Sequence, residues 1–95
     1  MEAHTRLNAH LETAREILRY FIRHPDAKDT LEGISRWWFG NNRFEKNTSE
    51  VAESLHLLMA RGFVIERHGQ AIRPYYQMNP AKRADIAEFL NGNGR

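Results

Sequence analysis

The side chains in this sequence best suited to hold a metal ion are five histidines, because there is no cysteine. A protein zinc site needs three or four ligands at characteristic spacings. No two histidines stand in the H-x-x-x-H spacing that places both on one helical face. We therefore expect neither a metal ion nor a cofactor. The histidines are His4, His10, His24, His56 and His68.

Motifs for nucleophilic or phosphate chemistry are absent from this sequence. It contains no G-x-x-x-x-G-K-[ST] loop, no G-x-G-x-x-G fingerprint and no G-x-S-x-G elbow. Glu50 and Glu53 are three residues apart, a spacing more typical of a solvent-exposed helix face than of a paired acid and base. We expect the protein to bind and not to be an enzyme.

Two pairs of adjacent aromatic residues are the most unusual local features. Trp38 continues an apolar helical stripe and is expected in the core, whereas Trp37 either packs at its margin or forms a protein interface. Neighbouring residues of a strand face opposite sides, so one ring of Tyr75 and Tyr76 should point inward and the other outward. Trp37, Tyr75 and Tyr76 are the candidate protein interface.

Length and composition favour one small domain. The chain has 95 residues, of which 41% are hydrophobic and 27% charged, and its formal charge is +2. We expect a single domain over 1–95, with an ordered core from about 7 to 90 and a short flexible tail at 91–95. Segment 63–95 has five basic against three acidic residues, which accounts for the whole excess and mildly favours a nucleic-acid partner. Without cysteine, an apolar leader or a membrane-spanning stretch, we expect a cytoplasmic protein with no membrane partner.

The apolar spacing predicts three helices followed by a change of period. The first covers about Leu7 to Arg23 and ends before Pro25. The second begins with Asp29 as N-cap and Glu32 completing a capping box, and ends near 40–42. The third begins at 47–49 and ends at Gly62, which we expect in a left-handed cap.

Residues 63–66 and 72–78 predict the two strands of a hairpin, joined by a turn at 67–70. Pro74 has no amide hydrogen, so we expect its strand at an edge. Asn79 and Pro80 predict the start of a last helix ending near Leu90. The expected fold class is mainly α with a two-stranded hairpin: three helices, the hairpin, then a C-terminal helix.

This order, together with the segment 49–64, resembles the winged helix-turn-helix superfamily over about residues 10–90. Segment 29–38 also resembles small uncharacterised bacterial winged-helix proteins. The resemblance implies a winged helix, with the hairpin as its wing. One departure is the eight-residue connection 39–46, where family members commonly have a tight turn.

The resemblance also implies a DNA-binding protein that acts as a transcription regulator. Its third helix would enter the major groove, and its wing would contact the backbone of double-stranded DNA. A homodimer would match paired half-sites. Residues carried over to the third helix, its entry and the wing are Arg43, Lys46, Asn47, Thr48, Ser49, Glu53, His56, Arg67, His68 and Arg73.

Three acidic residues, Glu45, Glu50 and Glu53, oppose this interpretation, because they repel phosphates. Residues 47–49 also suit a purely structural role as helix caps. A charged hairpin tip likewise keeps an edge strand soluble. The alternative is therefore a winged-helix protein–protein interaction module that does not bind DNA.

Overall fold

The computed structural model describes residues 2–38, 48–70 and 72–92, with side chains at 10–36, 38, 48–70 and 72–92. This part of the chain is mainly helical, with a small antiparallel sheet. Its elements in order are α1 (Glu2–Arg23), β1 (Lys28–Asp29), α2 (Leu31–Trp37), α3 (Thr48–Ala60), β2 (Val64–Arg67), β3 (Tyr75–Met78), a 3₁₀ turn (Pro80–Lys82) and α4 (Arg83–Asn91).

Helix α1 is longer than expected, since it begins at Glu2 and not at Leu7. The polar residues before Leu7 show no apolar periodicity, but a helical backbone does not require it. The helix ends at Arg23, as Pro25 predicts. Its core-facing stripe is Ala14, Ile17, Leu18 and Phe21.

The N-terminus of α2 differs from the expected capping box. Thr30 is the N-cap, and its hydroxyl accepts a hydrogen bond from the Gly33 amide at 3.1 Å. Asp29 lies one residue earlier, in β1. Its carboxylate accepts from the Thr30 amide at 2.8 Å and from the Trp38 indole at 3.2 Å. Asp29 therefore joins the two ends of α2 and does not cap it.

Helix α3 and the hairpin confirm the predicted change of period. Gly62 follows the helix with a φ of +78°, the left-handed conformation expected of it. The amide of Phe63 then donates to the Leu58 carbonyl at 2.9 Å. Strand β2 starts at Val64 and pairs antiparallel with β3. The left-handed glycine thus redirects the chain from helix to strand within three residues.

The sheet has three strands and not the expected two. β1 pairs with β3, giving the order β1-β3-β2. β3 is therefore central, so the edge position inferred from Pro74 was wrong; Pro74 precedes the strand and interrupts none of its pairs. β1 is only two residues long, and neither Lys28 nor Asp29 is a strong strand former. Its pairing depends on tertiary proximity, which local sequence does not reveal.

One apolar core holds the helices against one face of the sheet. Trp38 lies in it, as expected, stacked on Tyr20 at 4.1 Å between ring centroids and edge-on to Phe21 at 4.8 Å. Ile86 of α4 is fully buried, whereas Ala84 is exposed. Within the described residues, no helix is long and apolar enough to cross a membrane.

Candidate nucleic-acid interface

Helix α3 has a buried side and an exposed side. Val51, Ser54, Leu55 and Leu58 are buried at helical spacing. The predicted contact residues fall on the other side, where Thr48, Ser49, Glu53 and His56 are all exposed. The apolar stripe that fixes α3 to the core therefore also determines which side chains it presents outward.

Glu50 does not belong to that exposed side. It is half-buried, and its carboxylate accepts a hydrogen bond from the hydroxyl of Thr13, a fully buried residue of α1. Ser54 lies beside this pair, with Oγ 2.9 Å from the Glu50 carbonyl and 3.1 Å from the His10 carbonyl. Among the described carboxylates of α3, Glu53 is thus the one at the exposed surface. The exposed side of α3 therefore has fewer carboxylates than the sequence led us to expect.

Arg67 ends the outgoing strand of the hairpin, and His68 follows it directly; both side chains are exposed. Arg67 is exposed and forms no ion pair with a carboxylate of the described residues. His68 Nε2 lies 3.7 Å from Glu66 Oε1. His68 thus lies beside a carboxylate of β2, whereas the Arg67 guanidinium is available to an external anion.

The returning limb of the hairpin is tied to α2. Arg73 forms an ion pair with Glu32, and both side chains are more than half exposed. The pKa of Glu32 is lowered, first by a backbone hydrogen bond in the first turn of α2 and then by the hydrogen bond from Arg73. Arg73 is thus basic but already occupied, so phosphate would have to displace Glu32.

Three other predicted contact residues, Arg43, Lys46 and Asn47, lie outside the described residues, as does Glu45. The connection 39–46 lies outside as well, and so does the side chain of Trp37. The predicted contacts that the structure describes are therefore those of α3 from Thr48 onward and those of the hairpin.

The two tyrosines of β3 divide as expected. Tyr76 faces the core with 9% of its surface exposed, so it offers little to an interface. Its hydroxyl donates to Glu66 Oε2 at 3.1 Å, and burial followed by this hydrogen bond raises its pKa. Tyr75 is half-buried on the opposite face, with Lys28 Nζ 5.6 Å from its ring centroid.

Sequence reasoning missed the carboxylates that accompany the basic residues. Glu32 is 41 residues from Arg73, and no local pattern indicates their contact. Lys28 was also missed, because the strand that carries it was not predicted. The described residues contain no group of three or more His, Asp or Glu side chains placed to hold a metal ion.

The resemblance to winged-helix proteins depends on the order of the elements and on the residues around Gly62. The structure adds a third strand to that order. Comparison with protein-family models, with curated proteins and with solved structures found no match to this chain.

Proposed function

We propose that this chain has a winged-helix arrangement and binds double-stranded DNA through α3 and the hairpin, as a small transcription regulator. The observation that carries the proposal is the exposed side of α3, which packs on the core through its other side. A hairpin follows it directly, and the Arg67 of that hairpin forms no ion pair with the described carboxylates. Ser, Thr and His side chains contact phosphates and base edges, and arginine neutralises phosphate.

The orientation of Glu50 supports this proposal. A glutamate in the first turn of a groove-facing helix would repel phosphates, but the Glu50 carboxylate is bound to Thr13 of α1. Glu53 remains at the surface, and a single glutamate is compatible with recognition of cytosine N4. Glu53 is thus the carboxylate on the exposed side of α3 that would repel DNA phosphates.

The third strand supports the proposal in a second way. β1 joins the hairpin to the connection between α1 and α2, and the Arg73–Glu32 pair adds a link to α2. A hairpin attached on this side has a defined position relative to the helices. Preorganisation of this kind reduces the conformational entropy lost on binding.

The proposal is tested by titrating a labelled random-sequence duplex with the protein and following fluorescence anisotropy at several salt concentrations. We expect salt-sensitive binding, and Arg67→Ala should lower the slope of log K against log salt by about 0.9. Arg19→Ala is the matched control, since Arg19 is an exposed cation of α1. The proposal fails if the duplex does not bind at low salt or if both variants lose the same affinity.

One observation favours the alternative, a protein–protein interaction module. Ile72 in the hairpin is 99% exposed, the most exposed large hydrophobic side chain among the described residues. Exposed apolar side chains contribute to protein interfaces more readily than to phosphate contacts. Co-purification with Ile72→Ser tests this alternative: a specific partner lost in that variant, without duplex binding by the unmodified protein, would replace the DNA proposal.

A further inference from the structure

The two faces of the sheet differ in charge. Successive residues of a strand alternate between faces, and the register pairs Lys28 with Gln77, Ile65 with Gln77, and Arg67 with Tyr75. These five side chains therefore share one face, which we name the outer sheet face. The carboxylates of the strands, Asp29 and Glu66, belong to the other face, together with the buried residues Val64, Tyr76 and Met78.

The outer sheet face contains two cations, one aromatic ring, one amide and one aliphatic side chain, and no carboxylate. Lys28 and Arg67 are exposed, while Ile65, Tyr75 and Gln77 are half-buried. Lys28 Nζ lies over the Tyr75 ring, 5.6 Å from its centroid. Because Lys28 is exposed and lies over the ring, the core does not cover this face of Tyr75.

A cleft adjoins this face at the end of the sheet where β1 begins, and the end of β3 at Met78 also lines it. It has a volume of about 460 Å³, and Lys28 and Gln77 line it together with Arg83 of α4. Asp26 also lines it and is its one carboxylate, while Pro25 and Pro80 supply apolar surface. The basic side chains thus form a row from Arg67 past Lys28 to Arg83. The Tyr75 ring, the Gln77 amide and the two prolines lie along this row.

We propose that the outer sheet face and this cleft bind an unpaired nucleic-acid strand. Phosphates would contact Arg67, Lys28 and Arg83, and a base would stack on Tyr75 after the Lys28 ammonium group moves from the ring to a phosphate. Single-strand sites combine a basic groove with aromatic surfaces for stacking in this way. A duplex keeps its base faces stacked inside the helix, and the Asp and Glu side chains of an acidic peptide have no aromatic face to stack on the ring, so an unpaired strand fits best.

Arg67 belongs to both this site and the proposed duplex contacts, whereas Lys28 and Tyr75 belong to this site alone, so variants at those two positions test this proposal separately from duplex binding. The probe is a fluorescein-labelled oligo(dT) of about 12 nucleotides at about 50 mM salt, followed by anisotropy. Lys28→Gln should lower the salt slope by about 0.7 and leave duplex binding unchanged, whereas Arg19→Gln should change neither. Tyr75→Leu should weaken binding roughly tenfold, and Tyr75→Phe, which keeps the ring, should preserve it.

Tyr75 is half-buried, so its variants are compared after circular dichroism confirms their folding; Lys28→Gln, at an exposed position, provides the same test without that requirement. The proposal is overturned if the oligonucleotide does not bind, or if Lys28→Gln loses no more affinity than Arg19→Gln. It is also overturned if polyglutamate displaces the labelled strand as efficiently as unlabelled oligo(dT), because the ligand would then be an acidic peptide. Duplex binding without oligo(dT) binding would leave the proposed function intact and refute this inference alone.

Discussion

Replacing Gly33 with alanine should destabilise the protein, although alanine is the better helix former. An added Cβ would overlap all three atoms of the Asp29 carboxyl group, the farthest of which, Oδ2, would be 2.5 Å away. The carboxyl group would have to move, and its hydrogen bonds from the Thr30 amide and the Trp38 indole would be broken or weakened.

The magnitude follows from two opposing contributions. Alanine gains about 1 kcal/mol of helix propensity over glycine. Hydrogen bonds to a charged group contribute about 1.5–3 kcal/mol each, and Asp29 is half-buried, so water replaces part of what is lost. We expect a net loss of about 2 kcal/mol, which in a domain of this size lowers the melting temperature by about 8–16 °C.

Urea denaturation followed by circular dichroism and tryptophan fluorescence measures this loss. Gly69→Ala is the matched control, because its Cβ would meet Tyr75 Cε1 at an ordinary 3.5 Å. In an Asp29→Ala background the overlap is removed, so Gly33→Ala should become neutral or stabilising there. Equal effects of Gly33→Ala in both backgrounds would refute the argument, as would a single variant as stable as the unmodified protein.

Two further predictions concern charged contacts. The pKa of Tyr76 is raised, so its neutral hydroxyl stabilises the fold below the ordinary value of 10.0, and this stabilisation is lost as pH rises through the folded-state pKa. Tyr76→Phe should therefore lower the free energy of unfolding by about 1 kcal/mol at neutral pH, because the hydrogen bond to Glu66 is lost. Between neutral and alkaline pH the variant should lose less stability than the unmodified protein, as measured by urea midpoints. An equal loss of stability in both proteins would contradict this. Glu32→Gln frees Arg73 and should strengthen binding to a duplex by a factor of about two to five, with a smaller gain for the exposed control Glu88→Gln. Equal gains in the anisotropy titration would mean that net charge alone is responsible.

The local features of the fold could be predicted from the sequence, and its long-range contacts could not. Proline and glycine determine backbone geometry directly, so the end of α1 before Pro25 and the left-handed Gly62 were both predicted correctly. β1 was not predicted, because a two-residue strand has no periodicity. Aspartate is a residue type that favours the N-cap position, but the carboxylate of Asp29 accepts a hydrogen bond from the Trp38 indole instead.

The candidate interface divides in the same way. The exposure of Thr48, Glu53 and His56 follows from the apolar stripe of α3, which the sequence shows. The direction of the Glu50 carboxylate does not, because it depends on Thr13, 37 residues away. The outer sheet face likewise depends on strand register, and a difference of one residue in register would exchange its two faces.

The buried hydroxyl groups between α1 and α3 have a consequence for how these helices can move. The hydrophobic effect has no preferred direction, whereas a hydrogen bond depends on the distance and angle between its two partners. Moving α1 along its axis by one turn, about 5.4 Å, would separate the fully buried Thr13 hydroxyl from the half-buried Glu50 carboxylate and break this hydrogen bond. The hydrogen bond therefore favours one position of α1 along α3, and we expect the two helices to move together as a rigid unit when the protein binds a partner.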